Sequence, residues 1–483
     1  MTTFPRGVPE AQGVSSRAIL ALVEAFDREV TAVHSLMLVR HGIVIAEGWW
    51  KPYRATDPHV LFSLSKSFTS TAIGLLVHEG RLSIDDPILK FFPKDAPPNP
   101  SPALQAMKVR HLLAMSTGHT TEPAIPNGNA VTWVQAFLRA PVDHMPGTHF
   151  LYNSIATYML SAVVQTVTGE CLTDYLQPRL FTPLGIKSPF WEKSPQRIDT
   201  GGWGLMLTTE QIAAFGQLYL QKGVWNGKQV IPEAWIDIAT SIHTDNSTNE
   251  SIDWQQGYGF QFWRCRHNAY RGDGAFGQYC IIMPDQDAVL VITGGLDNMQ
   301  HPLNLVWEHL LPAFQPDSLP ADSQAHAALT DKLANLQIPP ITGASTNTTT
   351  ARVSGRSYTL ENNLDEISAI CFNFGEKETT VTLTMPRGDQ TLRVGHGTWI
   401  TNSARWMPLD ESMRTDPRYF AQVWQVAASG AWTDDHTFVI KTWWTETPFE
   451  RTITCKFSGD GVTIDQKGNV GFGPLRAPTI RGK

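Results

Sequence analysis

Ser63 and Lys66, within Leu61-Phe-Ser-Leu-Ser-Lys-Ser-Phe-Thr-Ser70, form the one Ser-x-x-Lys of this chain. A serine hydroxyl is a poor nucleophile until something takes its proton. A lysine can take it when desolvation or nearby positive charge lowers its pKa. On a helix, a spacing of three puts both side chains on one face of the same turn. The motif opens an apolar stretch with helical spacing, so free N–H groups and the positive end of a helix dipole would sit beside Ser63, where an oxyanion could form. A chain of this length and composition holds about one such match by chance, so its surroundings must decide. The plain alternative is a capped helix with a solvated lysine.

Two further segments supply surroundings. Residues 146–154 end in Tyr152-Asn153-Ser154 and run into a helical pattern. Residues 272–282 read as a glycine-rich turn, with Ala275, Phe276, Gly277 and Gln278, entering a strand. The elements that must position these groups follow from periodicity. Helices are expected over 15–30, 63–79, 109–115, 133–140, 154–168, 208–222 and 303–311, and a hairpin over 35–47 that turns at His41-Gly42. Strands are expected over 258–263 and across 277–294. Strands at both ends of this part with helices between suit a sheet whose terminal segments pair, flanked by a helical lobe. Residues 315–352 are rich in Pro and Thr and read as a linker around one short helix. Beyond them, short alternating strands, among them 369–374, 379–385, 437–444 and 450–457, give an all-β barrel or sandwich. The expected organisation is therefore α+β, with a first domain over 1–314, a linker over 315–352 and a β domain over 353–483.

In this order, Ser-x-x-Lys, then a tyrosine motif, then a glycine motif entering a strand, the chain resembles the class C β-lactamase-like serine hydrolases. That family includes penicillin-binding peptidases, D-aminopeptidases, family VIII-type esterases and 6-aminohexanoate-dimer hydrolases. Connecting phrases over about residues 8–312 are similar too, such as Glu79 to Pro87, Val109 to Gly118, Gly201-Gly-Trp-Gly-Leu-Met-Leu-Thr208 and Phe215 to Leu220. The resemblance implies a β-lactamase/transpeptidase-like domain, followed by a β domain similar to the lipocalin-like domains of some members. It implies Ser63 as acyl-accepting nucleophile, and Lys66 either taking its proton or keeping Tyr152 deprotonated. Tyr152 would be general base and then acid to the leaving group, and the backbone N–H groups of Ser63 and Gln278 would form the oxyanion hole. Substrate would touch Asn153, Ser154, Ala275, Phe276 and Gly277. Two family features are altered. Ser154 stands where the family's Tyr-x-Asn has its amide, and Ala275-Phe276-Gly277 replaces Lys-Thr-Gly. No cation or hydroxyl is then left in the triplet to hold a carboxylate, which favours a neutral ester or amide over β-lactams and D-Ala-D-Ala peptides.

Other chemistry is excluded by what is missing. The chain has no Gly-x-Ser-x-Gly elbow, and no His-Glu-x-x-His or clustered Cys and His, so neither a metal nor a cofactor is expected. His111 reads as a structural histidine. The net charge of −7, without a basic run, argues against nucleic acid. Without a signal peptide or a long apolar stretch, no membrane association is expected and the cytoplasm is the expected compartment. The expected partner is a small-molecule ester or amide, and a homo-oligomer is left open. Acyl transfer to an alcohol or amine, a β-lactamase/D-aminopeptidase-type amidohydrolase, and a silent binding protein on the same fold are the alternatives. For the β domain, a structural cap or dimer contact stands against a loop, from Trp399 to Trp406 or near Trp443-Trp444, entering the substrate pocket.

Overall fold

The computed structural model describes residues 4–126, 130–405 and 422–483. Its first half is built on a six-stranded antiparallel sheet. Strand β1 (Val33–Arg40) is followed by β2 (Ile43–Trp49), then β3 (Trp263–Arg264), β4 (Tyr270–Gly274), β5 (Gln278–Met283) and β6 (Ala288–Gly294). The order across the sheet is β2-β1-β6-β5-β4-β3. Its centre is the pairing of β1 with β6, Val39 opposite Val289 and Leu36 opposite Ile292, so the two ends of this region do meet in one sheet.

Every residue of β1, β5 and β6 is buried. Side chains alternate between faces with period two, and the faces feed separate cores. Met37, Val39, Val289 and Val291 join a core with α4 (Thr209–Leu220). Leu36, Leu38, Leu290 and Ile292 join another with Ile19, Leu22, Val23 and Phe26 of α1 (Ser16–Glu29). A sheet covered on both faces calls for runs of apolar residues rather than alternation, as these strands show. Within the first core lie α2 (Ser65–His78) and α3 (Ser154–Thr168). Helix α5 (Ser323–Ala334), from the segment expected as linker, lies on α1, where Asp322 accepts from Arg17 and Leu329 enters the α1 core.

The second half is a ten-stranded mixed sheet that curls into a nearly closed barrel. Its strands are β7 (Ser357–Thr359), β8 (Ala369–Phe374), β9 (Glu378–Thr384), β10 (Gln390–Gly395), β11 (Ile400–Ala404), β12 (Trp424–Trp432), β13 (Thr437–Trp444), β14 (Glu450–Ser458), β15 (Gly461–Gly468) and β16 (Ile480–Gly482). Closure is visible at the ends, where Thr359 and Lys483 exchange backbone hydrogen bonds and Leu360 bridges Gly482. Among the described residues no helix is long and apolar enough to cross a membrane.

Three local expectations are corrected. The strand expected over 258–263 is only Trp263–Arg264, because Gln261 takes a positive φ of 67° and breaks the extended run. Residues 272–274, expected in a turn, belong to β4, and the turn falls at Ala275-Phe276-Gly277. Ser63 lies in a 3-10 turn, Phe62–Leu64, that leads into α2, rather than in the α-helix itself.

Candidate active site

Helix α2 is buried nearly all round, as its mixed face of Ser, Thr, Phe and Ile requires. Its small polar residues are satisfied in place. Ser67 Oγ donates to Gln261 O (2.9 Å), and Thr69 Oγ1 to Gly201 O (2.8 Å). The turn before it is held by Leu61, whose N–H donates to Leu205 O (2.8 Å). Strand β4 presses on this turn from the other side. A Cβ on Gly274 would stand 2.0 Å from Leu61 O, so only glycine lets the strand pass. This contact brings the β4–β5 turn, with Gly277 and the Gln278 backbone, up to Ser63.

Lys66 projects from the first turn of α2 and is 1% exposed. Its Nζ lies 3.0 Å from Ser63 Oγ, 3.2 Å from Ser154 Oγ and 2.7 Å from Gly202 O. Among the described residues no carboxylate lies within ion-pair distance of it. Burial pushes its pKa down to about 7, opposed by the more distant carboxylates of Glu122 and Asp273. A neutral amine there can donate to Gly202 O, which only accepts, and can accept the proton of Ser63.

Tyr152 is half-buried, with its ring stacked on Trp263 (centroids 5.3 Å apart) and Lys66 Nζ 4.9 Å from its centroid. Burial, with Asp273 nearby, pushes its phenol well above the ordinary pKa, and Ser63 opposes that shift. Behind Trp263 lies a buried ion pair, in which Arg271 Nε donates to Asp273 Oδ2 at 2.9 Å while Arg271 Nη1 donates to Asp253 O at 2.7 Å. Desolvation raises the Asp273 carboxyl, and Arg271 opposes that shift.

The structure thus brings Ser63, Lys66, Tyr152 and Ser154 together and shows what their neighbours contact within the protein. Ser154, expected against substrate, turns its hydroxyl to Lys66. Asn153, expected against substrate, is fully buried, and its Oδ1 caps α3 by accepting from Ala156 N at 2.9 Å. Gln278 Nε2 donates to Ala275 O (3.0 Å) and Gly294 O (2.8 Å), which holds the turn that presents its backbone. Ala275 and Phe276 are half-buried at the rim, and Gly277 needs its φ of +91° with Leu296 packed against its Cα. Asp273 serves the buried pair, and His111 takes a structural part, its Nδ1 accepting from Lys108 N. Four groups were not read from the sequence: the Gly202 carbonyl, Glu122, Arg271 and Trp263. Glu122 accepts from the N–H groups of Ser154 and Ile155 at the start of α3. Only the Gly201-Gly-Trp-Gly phrase carried any signal for these.

Phe62, Met115, Gln261 and Phe276 all hold positive φ, and all four border this site. Side chains rarely accept that region, and such strain collects at functional sites.

A family model described as Beta-lactamase matches residues 21–299. The chain belongs to the beta-lactamase family of serine hydrolases. The match ends before the barrel. Among its relatives, an uncharacterized protein of Alkalihalophilus pseudofirmus is 25% identical over 245 residues, which are 45% of this chain and 67% of that protein. A Salmonella schwarzengrund protein named "Putative D-alanyl-D-alanine carboxypeptidase" is 23% identical over 209 residues, 37% of this chain and 48% of that one. This beta-lactamase-family chain thus spans about half the length of that relative. In structure it is similar to a "Putative 6-aminohexanoate-dimer hydrolase from Bacillus anthracis", with a TM-score of 0.52 and 20% identity over 66% of this chain and 89% of that one. The likeness shows the fold.

Proposed function

We propose that this protein cleaves a neutral carboxylic ester or amide through an acyl-enzyme on Ser63. The observation that carries the reading is Lys66 Nζ, buried, 3.0 Å from Ser63 Oγ, without an ion-pair partner among the described residues and with its pKa brought down to about 7. In the reaction Ser63 Oγ attacks the carbonyl carbon and its proton passes to Lys66. The oxyanion is met by the backbone N–H groups of Ser63 and Gln278. Burial keeps the Tyr152 phenol protonated, which favours Lys66 as the base and Tyr152 as the acid that protonates the leaving group. Water then takes the acyl group from Ser63 by the reverse proton path.

The choice of a neutral substrate rests on charge. Ala275 and Phe276 offer no cation, and the carboxylates that act on Lys66 are Asp273 and Glu122, which disfavour a second anion. The test is hydrolysis of p-nitrophenyl acetate by wild type, Ser63→Ala and Lys66→Ala. Ser63→Ala should lose at least about 10³-fold in rate and Lys66→Ala about 10²–10⁴-fold, both with unchanged circular dichroism. Activity surviving in Ser63→Ala would refute the nucleophile, and a wild-type rate in Lys66→Ala would refute the base.

A further inference from the structure

In the two barrel segments that stood as candidate pocket loops, against a structural cap or dimer contact, Trp399 and Trp443 point elsewhere. Trp399 Nε1 donates to Ile338 O, Trp443 is buried edge-on against His34 and Tyr53, and Trp406 lies outside the described residues. Two other barrel residues do reach the site. Phe62 immediately precedes Ser63, and Phe276 lies two residues before Gln278. Their rings meet edge-on at 5.5 Å. Onto this pair the barrel lays Phe449, 6.1 Å from Phe62 and 5.9 Å from Phe276, and Phe472, 5.8 Å and 4.9 Å from the same two rings.

The loops that carry these two phenylalanines are fixed to the rim of the sheet. Val60 N donates to Glu446 O (2.9 Å), and Tyr53 Oη to Thr447 O (3.1 Å). Asn469 joins the two loops to each other, with Nδ2 donating to Pro448 O (2.9 Å) and Oδ1 accepting from Glu450 N (2.8 Å), and it reaches the sheet through Gly295 O (3.3 Å). Phe62 and Phe449 are buried, whereas Phe472 is 60% exposed. A large, partly exposed apolar ring thus lies against Phe62, next to the nucleophile, and Phe276, two residues before the oxyanion donor. Covering the exposed part of such a ring with an apolar group is favourable.

We infer that Phe472, with Phe276 and Phe449, forms an apolar wall beside Ser63 that selects esters or amides bearing an aromatic or aliphatic substituent. The barrel is then a specificity element of the active site. The inference rests on the proposed acyl-enzyme reading for its chemistry, and the test separates the two.

Two substrate series locate the substituent. One varies the acyl group, p-nitrophenyl octanoate against acetate. The other varies the alcohol, phenethyl acetate against ethyl acetate. Phe472→Ala should lower the kcat/KM preference for the larger member by at least about tenfold in one series. Leu364→Ala, at another exposed apolar residue of the barrel, should leave both preferences as in wild type. Preferences within about twofold of wild type in both series for Phe472→Ala would overturn the inference, since a contact with one apolar group is expected to change discrimination by more than that. Absence of turnover in wild type, or turnover undiminished in Ser63→Ala, would instead count against the acyl-enzyme reading. The wall is then read by binding of the neutral dye N-phenyl-1-naphthylamine to Ser63→Ala. Adding Phe472→Ala should weaken binding at least about fivefold, and an unchanged affinity would overturn the wall.

Discussion

The sheet and the barrel bury their residues in different patterns. In the sheet, β1 and β6 are buried at every position, because helices cover both faces. In the barrel, β9 and β15 alternate between buried residues and half-buried or exposed ones, because one face lines the interior and the other meets water. A polar residue in the sheet region must therefore find its partner in place, as Arg271 and Asp273 do, whereas a barrel threonine can turn outward. This difference suits the division of labour proposed above. Proton transfer needs a desolvated lysine and fixed dipoles, which the covered sheet and its helices provide. Selection of an apolar group needs only a fixed ring at the rim, which a barrel loop provides.

Substitutions can break this comparison. The largest stability effect is expected from Asp273→Ala, which leaves Arg271 buried without its carboxylate and should cost about 3–5 kcal/mol, measured by urea unfolding. A loss below about 1 kcal/mol, the scale of a surface ion pair, would mean that the pair is solvated. In the barrel the sensitivity should pass to apolar positions. Leu383→Ala, facing the interior, should cost about 2–5 kcal/mol. Asn153→Ala removes the cap of α3 and should cost about 1 kcal/mol. A specific loss of substrate affinity without that destabilisation would return Asn153 to the substrate. The smallest effect is expected at Thr382, the half-buried neighbour of Leu383, where Thr382→Ala should stay within about 0.5 kcal/mol. Equal losses at Thr382 and Leu383 would show that the outer face of β9 is covered.

Much of this was legible in the sequence where the determinants are local. Ser63 and Lys66 are three residues apart, and the apolar runs of β1 and β6 announce strands covered on both faces. Their pairing follows from strands at both ends of a helical region. Groups brought in from afar were not legible. The motif position of Ser154 suggests a substrate contact, but its contact with Lys66 Nζ is set by where α3 crosses α2 and cannot be read locally. The Gly202 carbonyl has no side chain to read. The strand expected at 258–263 failed because apolar content does not reveal the positive φ of Gln261. The two barrel tryptophan segments drew attention by their size, while Phe449 and Phe472 lie in loops whose sequence says nothing of what they face.

The central claim is that Ser63 is acylated with Lys66, at a pKa of about 7, as its base. A base acts only when unprotonated, so acylation should be constant above that pKa and fall as pH drops through it. The most direct measurement is the rate of labelling by a fluorophosphonate, followed by intact mass between about pH 5 and pH 9. A single adduct, absent from Ser63→Ala, whose rate falls about tenfold per pH unit below about pH 7 and levels off above it, is the predicted result. An adduct that persists in Ser63→Ala, or a folded wild-type protein that takes no label at any pH, would contradict the account.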